Sequence, residues 1–222
     1  MIDFSTLQDL TVPEGVVIQI AKDGVILWEK IDYVLTTGNA FYKTIPSAAT
    51  SVVFTDAVAP TTATLTDISA SGRGGVVSWL DDTTYYVSTQ ISGQKVIANT
   101  DSSYLFYRRN QLINITLDKL DTSNVINMFR MFSDCEGLTS LDLSNFNTSN
   151  VTDMNGMFSN CNNLTTIYAS ELWNTDKVTS SNSMFYDCIK LVGDIPYNSS
   201  YTNKTYATTS GGYLTYKVAP AA

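Results

Sequence analysis

One phrase recurs every 26 residues between Leu105 and Leu191, and it limits the folds open to this chain more than any other feature. Met131-Phe132, Cys135, Leu138, Leu141 and Leu143 return as Met157-Phe158, Cys161, Leu164, Ile167 and Ala169. Shifted back by the same interval they meet Leu105-Phe106, Leu112, Ile115 and Leu117, with Arg109 where cysteine would fall. After Trp173 one residue is inserted, and the register resumes at Val178, Met184-Phe185, Cys188 and Leu191. A period of this length marks units that cannot bury an apolar face alone and must stack on a neighbour. Stacking predicts columns of like residues: Phe106/Phe132/Phe158/Phe185, Leu112/Leu138/Leu164/Leu191 and Cys135/Cys161/Cys188.

Within one period the spacing changes. Val151, Met154, Met157/Phe158 and Cys161 fall three or four apart, which predicts one face of a short helix, with Asn150 as N-cap and Asp153 in its first turn. Leu141-Asp142-Leu143, Ile115-Thr116-Leu117 and Ile167-Tyr168-Ala169 alternate with period two, which predicts short strands. The expected class is therefore mixed α/β: an N-terminal all-β module, then a short leucine-rich-repeat solenoid of helix plus strand, closed by a C-terminal β-hairpin cap. Expected boundaries are 1–32 for an N-terminal β-hairpin attachment module, 33–98 for a β-rich domain, 99–194 for the repeats and 195–222 for the cap.

The runs Phe146-Asn147-Thr148-Ser149-Asn150-Val151-Thr152-Asp153-Met154 and Met157-Phe158-Ser159-Asn160-Cys161 resemble the BspA-like leucine-rich repeats of bacterial surface proteins. The third repeat departs from that pattern, with Trp173-Asn174-Thr175-Asp176-Lys177 at the turn and Ser181 for methionine. The resemblance implies an extracellular recognition scaffold, often an adhesin, without enzymatic activity. At the other end, Leu7, Leu10, Val12, a Pro13-Glu14-Gly15 turn and the runs Val16–Ala21 and Val25–Lys30 about Lys22-Asp23-Gly24 predict a hairpin. That opening resembles tail and minor structural proteins of bacteriophages of Gram-positive hosts.

Residues 33–98 read as strands at Tyr33–Thr36, Phe41–Ile45, Ser51–Phe54, Ala63–Ile68, Val76–Leu80, Tyr85–Ser88 and Lys95–Ala98. They should abut the first repeat, with Ser69–Gly75 as a linker or mobile loop. Arg109 breaks the cysteine column, because an unpaired guanidinium cannot sit in a dry stack. The first repeat is therefore expected to be a terminal one. After Leu191, Thr205–Thr208 and Tyr213–Val218 about Ser210-Gly211-Gly212 predict the closing hairpin.

Composition narrows the chemistry. A net charge of −8 and no basic patch argue against nucleic acid and anionic membranes. No run is long and apolar enough for a membrane span, and no signal peptide is legible at Met1-Ile2-Asp3-Phe4. The chain has no histidine, which removes the commonest general base and neutral metal ligand. Three cysteines, spaced 26 and 27 apart in the repeats after the first and without a C-x-x-C, fit buried free thiols. Asp81-Asp82 fits a turn. No cofactor, metal or catalytic residue is expected.

The strands offer a candidate ligand face in the residues between inward positions: Thr116, Asp142 and Tyr168, flanked by Asn114, Ser140 and Thr166 and by Asp118, Ser144 and Ser170. A polar surface with one aromatic suits a saccharide or a protein loop. Function is expected to be that of a bacteriophage virion protein of tail or fibre type, displaying the repeats for attachment to the host. The expected partners are other virion proteins through the N-terminal module and a host surface protein or glycan, with a homo-oligomer possible. Alternatives are a capsid-decorating or other minor virion protein, a bacterial surface adhesin with its export signal removed, and, more remotely, a cell-wall glycan hydrolase.

Overall fold

The computed structural model describes residues 16–20, 26–30 and 32–220. Strands β1 (Val16–Ile20) and β2 (Ile26–Lys30) pair antiparallel, Ile18 opposite Trp28. The expected Lys22-Asp23-Gly24 turn and the segment before Val16 lie outside the described residues.

The expected class is overturned: the chain is nearly all-β. Among the described residues, regular helix amounts to α1 (Gly38–Phe41) and one 3-10 turn, Lys204–Tyr206. No helix-plus-strand leucine-rich-repeat solenoid forms. Where helices were expected, each repeat runs as a chain of turns. Arg130, Asp134, Gly156, Asn160, Ser183 and Asp187 hold left-handed backbone, as do Tyr104 and Arg108 in the first repeat. A left-handed residue every fourth position prevents helical propagation. The N–H groups then divide their partners. Those of Met131, Ser133 and Cys135 close turns on the carbonyl three residues back, while those of Met128, Arg130, Phe132 and Asp134 reach Asp153, Asn155, Met157 and Ser159 of the next repeat at 2.8–3.0 Å. Every third or fourth side chain still points inward, which is why the apolar spacing imitates a helix.

The stacking places equivalent residues side by side. Phe106, Phe132, Phe158 and Phe185 form a column with ring centroids 5.2, 5.7 and 5.6 Å apart and planes within 10° of parallel. Both ends are closed by edge-on rings, Phe41 and Phe54 against Phe106 and Tyr213 against Phe185. The leucine and cysteine columns are buried beside it.

The strands follow the same parallel logic. Strand β3 (Ser51–Thr55) pairs parallel with β8 (Asn114–Thr116), and β7 (Val96–Ile97) pairs parallel with β9 (Leu120–Asp121). Further along, β10 (Ser140–Asp142), β11 (Thr166–Ala169) and β12 (Leu214–Tyr216) form a parallel sheet in that order. The remaining strands β4 (Thr66–Asp67), β5 (Val77–Asp81) and β6 (Thr84–Ser88) extend the first sheet in the order β4-β5-β6-β3-β8.

A degenerate repeat precedes the evident ones. Val34 bridges Ile97 and Ser51 pairs Asn114, both an interval of 63. At that interval buried Ala49, Val52 and Phe54 continue the columns of Leu112, Ile115 and Leu117. The Phe41–Ile45 segment expected as a strand is consequently the end of α1 and a turn, with Phe41 and Ile45 both facing the core. Arg109, as expected, leaves the dry column: its guanidinium donates to the Tyr42 carbonyl, at 3.0 Å from Nε, and lies over the Tyr42 ring. The Ser69–Gly75 loop is tied to the Asp67 carboxylate, which accepts from the Ser69 and Gly74 amides at 2.9 Å.

The expected C-terminal hairpin does not form either. Residues 204–206 make the 3-10 turn, and β12 adds in parallel to β11, with Ile167 opposite Leu214. Tyr213 and Leu214 are buried, so continuing the stack removes more apolar surface from water than a local hairpin would.

Candidate functional site

In β8, β10 and β11 the central residues Ile115, Leu141 and Ile167 are buried. Alternation along a strand then turns their neighbours outward. Ser140 sits opposite Thr166 and Asp142 opposite Tyr168, so these four share the β10-β11-β12 sheet. Asn114 and Thr116 belong to the other sheet, opposite Ser51 and Val53. The flanking residues behave differently. Asp118 is exposed, but Ser144 and Ser170 are buried where the chain turns, contrary to the outward orientation expected of them.

A residue from the far end of the chain completes this face. The Lys217 amide donates to the Ala169 carbonyl at 2.9 Å, continuing the β12 ladder, and brings the side chain across two strands. Its ammonium pairs with Asp142 and stands over the Tyr168 ring, 5.7 Å from the centroid. Partial burial pushes the Asp142 carboxyl up, but hydrogen bonds from Lys217 and from Ser144 outweigh it and hold the group below its ordinary value. The same bond to Asp142 raises Lys217. Asp142 is thus held ionised and engaged, an arrangement suited to binding and not to proton transfer.

Beyond that face, an open groove of about 580 Å³ is lined by Val34, Ile97, Thr100, Asn124, Ile126 and Thr152. A third surface was not legible in the sequence. The rings of Tyr42, Tyr107, Tyr104 and Phe129 follow one another with centroids 6.2, 5.1 and 5.2 Å apart. Three of the four carry a cation at the face: Lys43 and Arg109 at Tyr42, Arg108 at Tyr107 and Arg130 at Phe129. The signal that could have found it is the repeat interval itself. The Tyr104 amide bonds the Phe129 carbonyl of the next repeat, so Tyr104-Leu105-Phe106-Tyr107-Arg108 and Phe129-Arg130 are neighbours once the register is known.

Among the described residues, no three acidic or cysteine side chains converge as a metal site would require. The three thiols are buried and donate to carbonyls one repeat back.

The fold and its outward rows define a stacked-repeat protein of nearly all-β class with polar and aromatic surfaces. The family model described as "Mycoplasma protein of unknown function, DUF285" matches residues 80–205, which is 126 of 222 residues, and the chain belongs to that family. No curated protein and no solved structure matches it.

Proposed function

We propose that this protein is a passive recognition module of a bacteriophage particle, joined to other virion proteins through residues 1–32 and presenting its stacked repeats to the host surface. The observation that carries the reading is the parallel register of β10 and β11, which sets Asp142 beside Tyr168 and Ser140 beside Thr166 on a rigid support. A ligand meets hydroxyls, an aromatic ring and the Asp142–Lys217 charge pair on a surface whose backbone is fixed by the stack beneath. Such preorganisation limits the entropy lost on binding. The phage-like opening and the surface-protein character of the repeats support the placement at a virion surface, and the engaged carboxylate supports binding without catalysis.

A bacterial surface adhesin is the second reading, favoured by a family described from Mycoplasma proteins. Immunogold labelling of purified particles and of bacterial cells separates the two. Particle labelling with loss of cell attachment in the Asp142→Ala/Tyr168→Ala protein is the result expected. Labelling confined to bacterial cells would replace the first reading by the second, and unchanged attachment would remove this face as the site.

A further inference from the structure

The chain has a net charge of −8, yet three of its four arginines and Lys43 gather on one surface. There they alternate with four aromatic rings: Tyr42, Tyr107, Tyr104 and Phe129. Arg108, Arg130 and Lys43 are exposed, and none forms an ion pair among the described residues. Asp134 and Glu136 line a hollow beside Arg108, but neither carboxylate forms an ion pair with it, and Asp134 accepts from Asn160 at 2.7 Å and from Ser133 at 3.0 Å. Arg109 is occupied with the Tyr42 carbonyl and serves to hold the first ring in place.

We propose that this strip binds an anionic polysaccharide, its sugar rings packed on the aromatic faces and its carboxylates held by Arg108 and Arg130. The inference rests on the surface-recognition reading and supplies a ligand class for it, at a surface separate from the Asp142–Tyr168 face. A guanidinium offers a planar fork of donors that matches a carboxylate in two parallel hydrogen bonds. Lying over a ring leaves the edges of that fork free. Tyr42, Tyr107 and Phe129, all half-buried, each present the uncovered part of an apolar ring next to a cation, and a uronate-bearing sugar offers the complementary pair of a CH face and a carboxylate. Arg130 is additionally seated by Gly156, whose absent side chain leaves room for it: a Cβ there would lie 3.2 Å from the Arg130 Cγ. A single strand of nucleic acid would set bases against the rings and phosphates against the cations, and the oligonucleotide arm of the test separates it from a uronate. An acidic peptide uses the cations but has no flat ring to place on each aromatic.

The test is calorimetry of the full chain with oligogalacturonate and hyaluronan oligosaccharides, against neutral galactan, poly-glutamate and a single-stranded oligonucleotide. Binding to the carboxylated glycans is expected, absent with galactan and weakening as salt rises. Arg108→Gln/Arg130→Gln should weaken it at least about tenfold, Tyr107→Ala should weaken it comparably, and Lys119→Gln, which removes a cation paired elsewhere with Asp56, should leave it unchanged. An unchanged thermal transition in each variant shows that folding is intact, and Arg130→Lys provides a variant that keeps the charge. Failure of both glycans to bind, equal binding of poly-glutamate or the oligonucleotide, or indifference to the arginine changes would overturn the proposal. Cell attachment lost with Asp142→Ala/Tyr168→Ala but intact with Arg108→Gln/Arg130→Gln would remove this strip alone. Absence of the chain from both particles and cells would remove the function, whatever glycan it binds.

Discussion

The thiol of Cys161 donates to the carbonyl of Phe132, 3.0 Å away in the preceding repeat. The same bond joins Cys135 to Phe106 and Cys188 to Phe158, at the same distance. Each cysteine therefore fills a small apolar slot and also gives a second hydrogen bond to a carbonyl that already closes a turn with the amide three residues on. Burial pushes Cys161 up to about 12 and raises the other two thiols well above their ordinary value. The thiolate is the reactive form, so none of the three should react with a disulfide reagent at pH 8 while the protein is folded, and all three should react in denaturant. Cys161→Ala removes one of the two donors to the Phe132 carbonyl, which keeps the Cys135 amide at 3.3 Å, and should cost about 0.5–1.5 kcal/mol by urea unfolding. Rapid labelling of the native protein would show that the column is open to solvent.

The phenylalanine column places a ring on both sides of Phe158, at 5.7 and 5.6 Å. Phe158→Ala removes two ring contacts and opens a void between repeats that rigid turns cannot close, so a loss of about 3–5 kcal/mol is expected. Phe158→Leu retains much of the volume and should cost less. Both should lower the urea midpoint with little change in its slope. A loss under about 1 kcal/mol for the alanine variant would mean that the repeats are held mainly by their backbone bonds.

The repeat interval, the columns and the turned-away Arg109 were legible because stacking forces like residues into like places. The helix was not, since left-handed turns closed three residues back put side chains inward at nearly helical spacing. A signal was available: Asp134, Gly156, Asn160 and Asp187 tolerate positive φ, and they stand in the middle of the supposed helical face. The degenerate repeat at Leu35–Phe54 was hidden because β4, β5 and β6 intervene before its partner at Ile97–Leu117. The outward pairs Ser140/Thr166 and Asp142/Tyr168 were legible from alternation, whereas the separation of Asn114 and Thr116 into another sheet and the burial of Ser144 and Ser170 were not. The cover of that face was not legible either, as Lys217 reaches Asp142 from 75 residues downstream and nothing local announces it.

Gly38 marks a close approach of two backbones. A Cβ at this position would lie 2.2 Å from the Ser103 carbonyl oxygen, so Gly38→Ala must move either α1 or the first repeat, at a cost of about 1–3 kcal/mol or more. Gly72 gives the contrast. It has φ +66 but nothing within 4 Å of a would-be Cβ, so Gly72→Ala meets only backbone strain, about 1–2 kcal/mol, in an exposed loop. Thermal unfolding of the two variants should therefore separate them, and equal shifts would mean that α1 is free to move away from the repeats.

The Asp142–Lys217 pair predicts a defined pH window. The Asp142 carboxyl lies below its ordinary 3.8 in the folded chain, so its contribution is present above that value and disappears as pH falls through the lower folded value. Lys217 lies above its ordinary 10.5, so its contribution is present below that value and is lost as pH rises through the higher folded value. Both side chains are partly exposed, which limits the pair to under about 1 kcal/mol at neutral pH. Lys217→Met should accordingly lower the thermal midpoint slightly near pH 7 and at low salt. It should have no effect in strongly acid solution, where Asp142 is protonated, and less effect in high salt. The same variant uncovers the Asp142 carboxylate and the Tyr168 ring. If Lys217 holds that surface in its binding form, Lys217→Met weakens attachment along with the small loss of stability. If Lys217 merely covers the face, attachment strengthens while stability still falls, so measuring both in one variant decides whether the ammonium is part of the site or its lid.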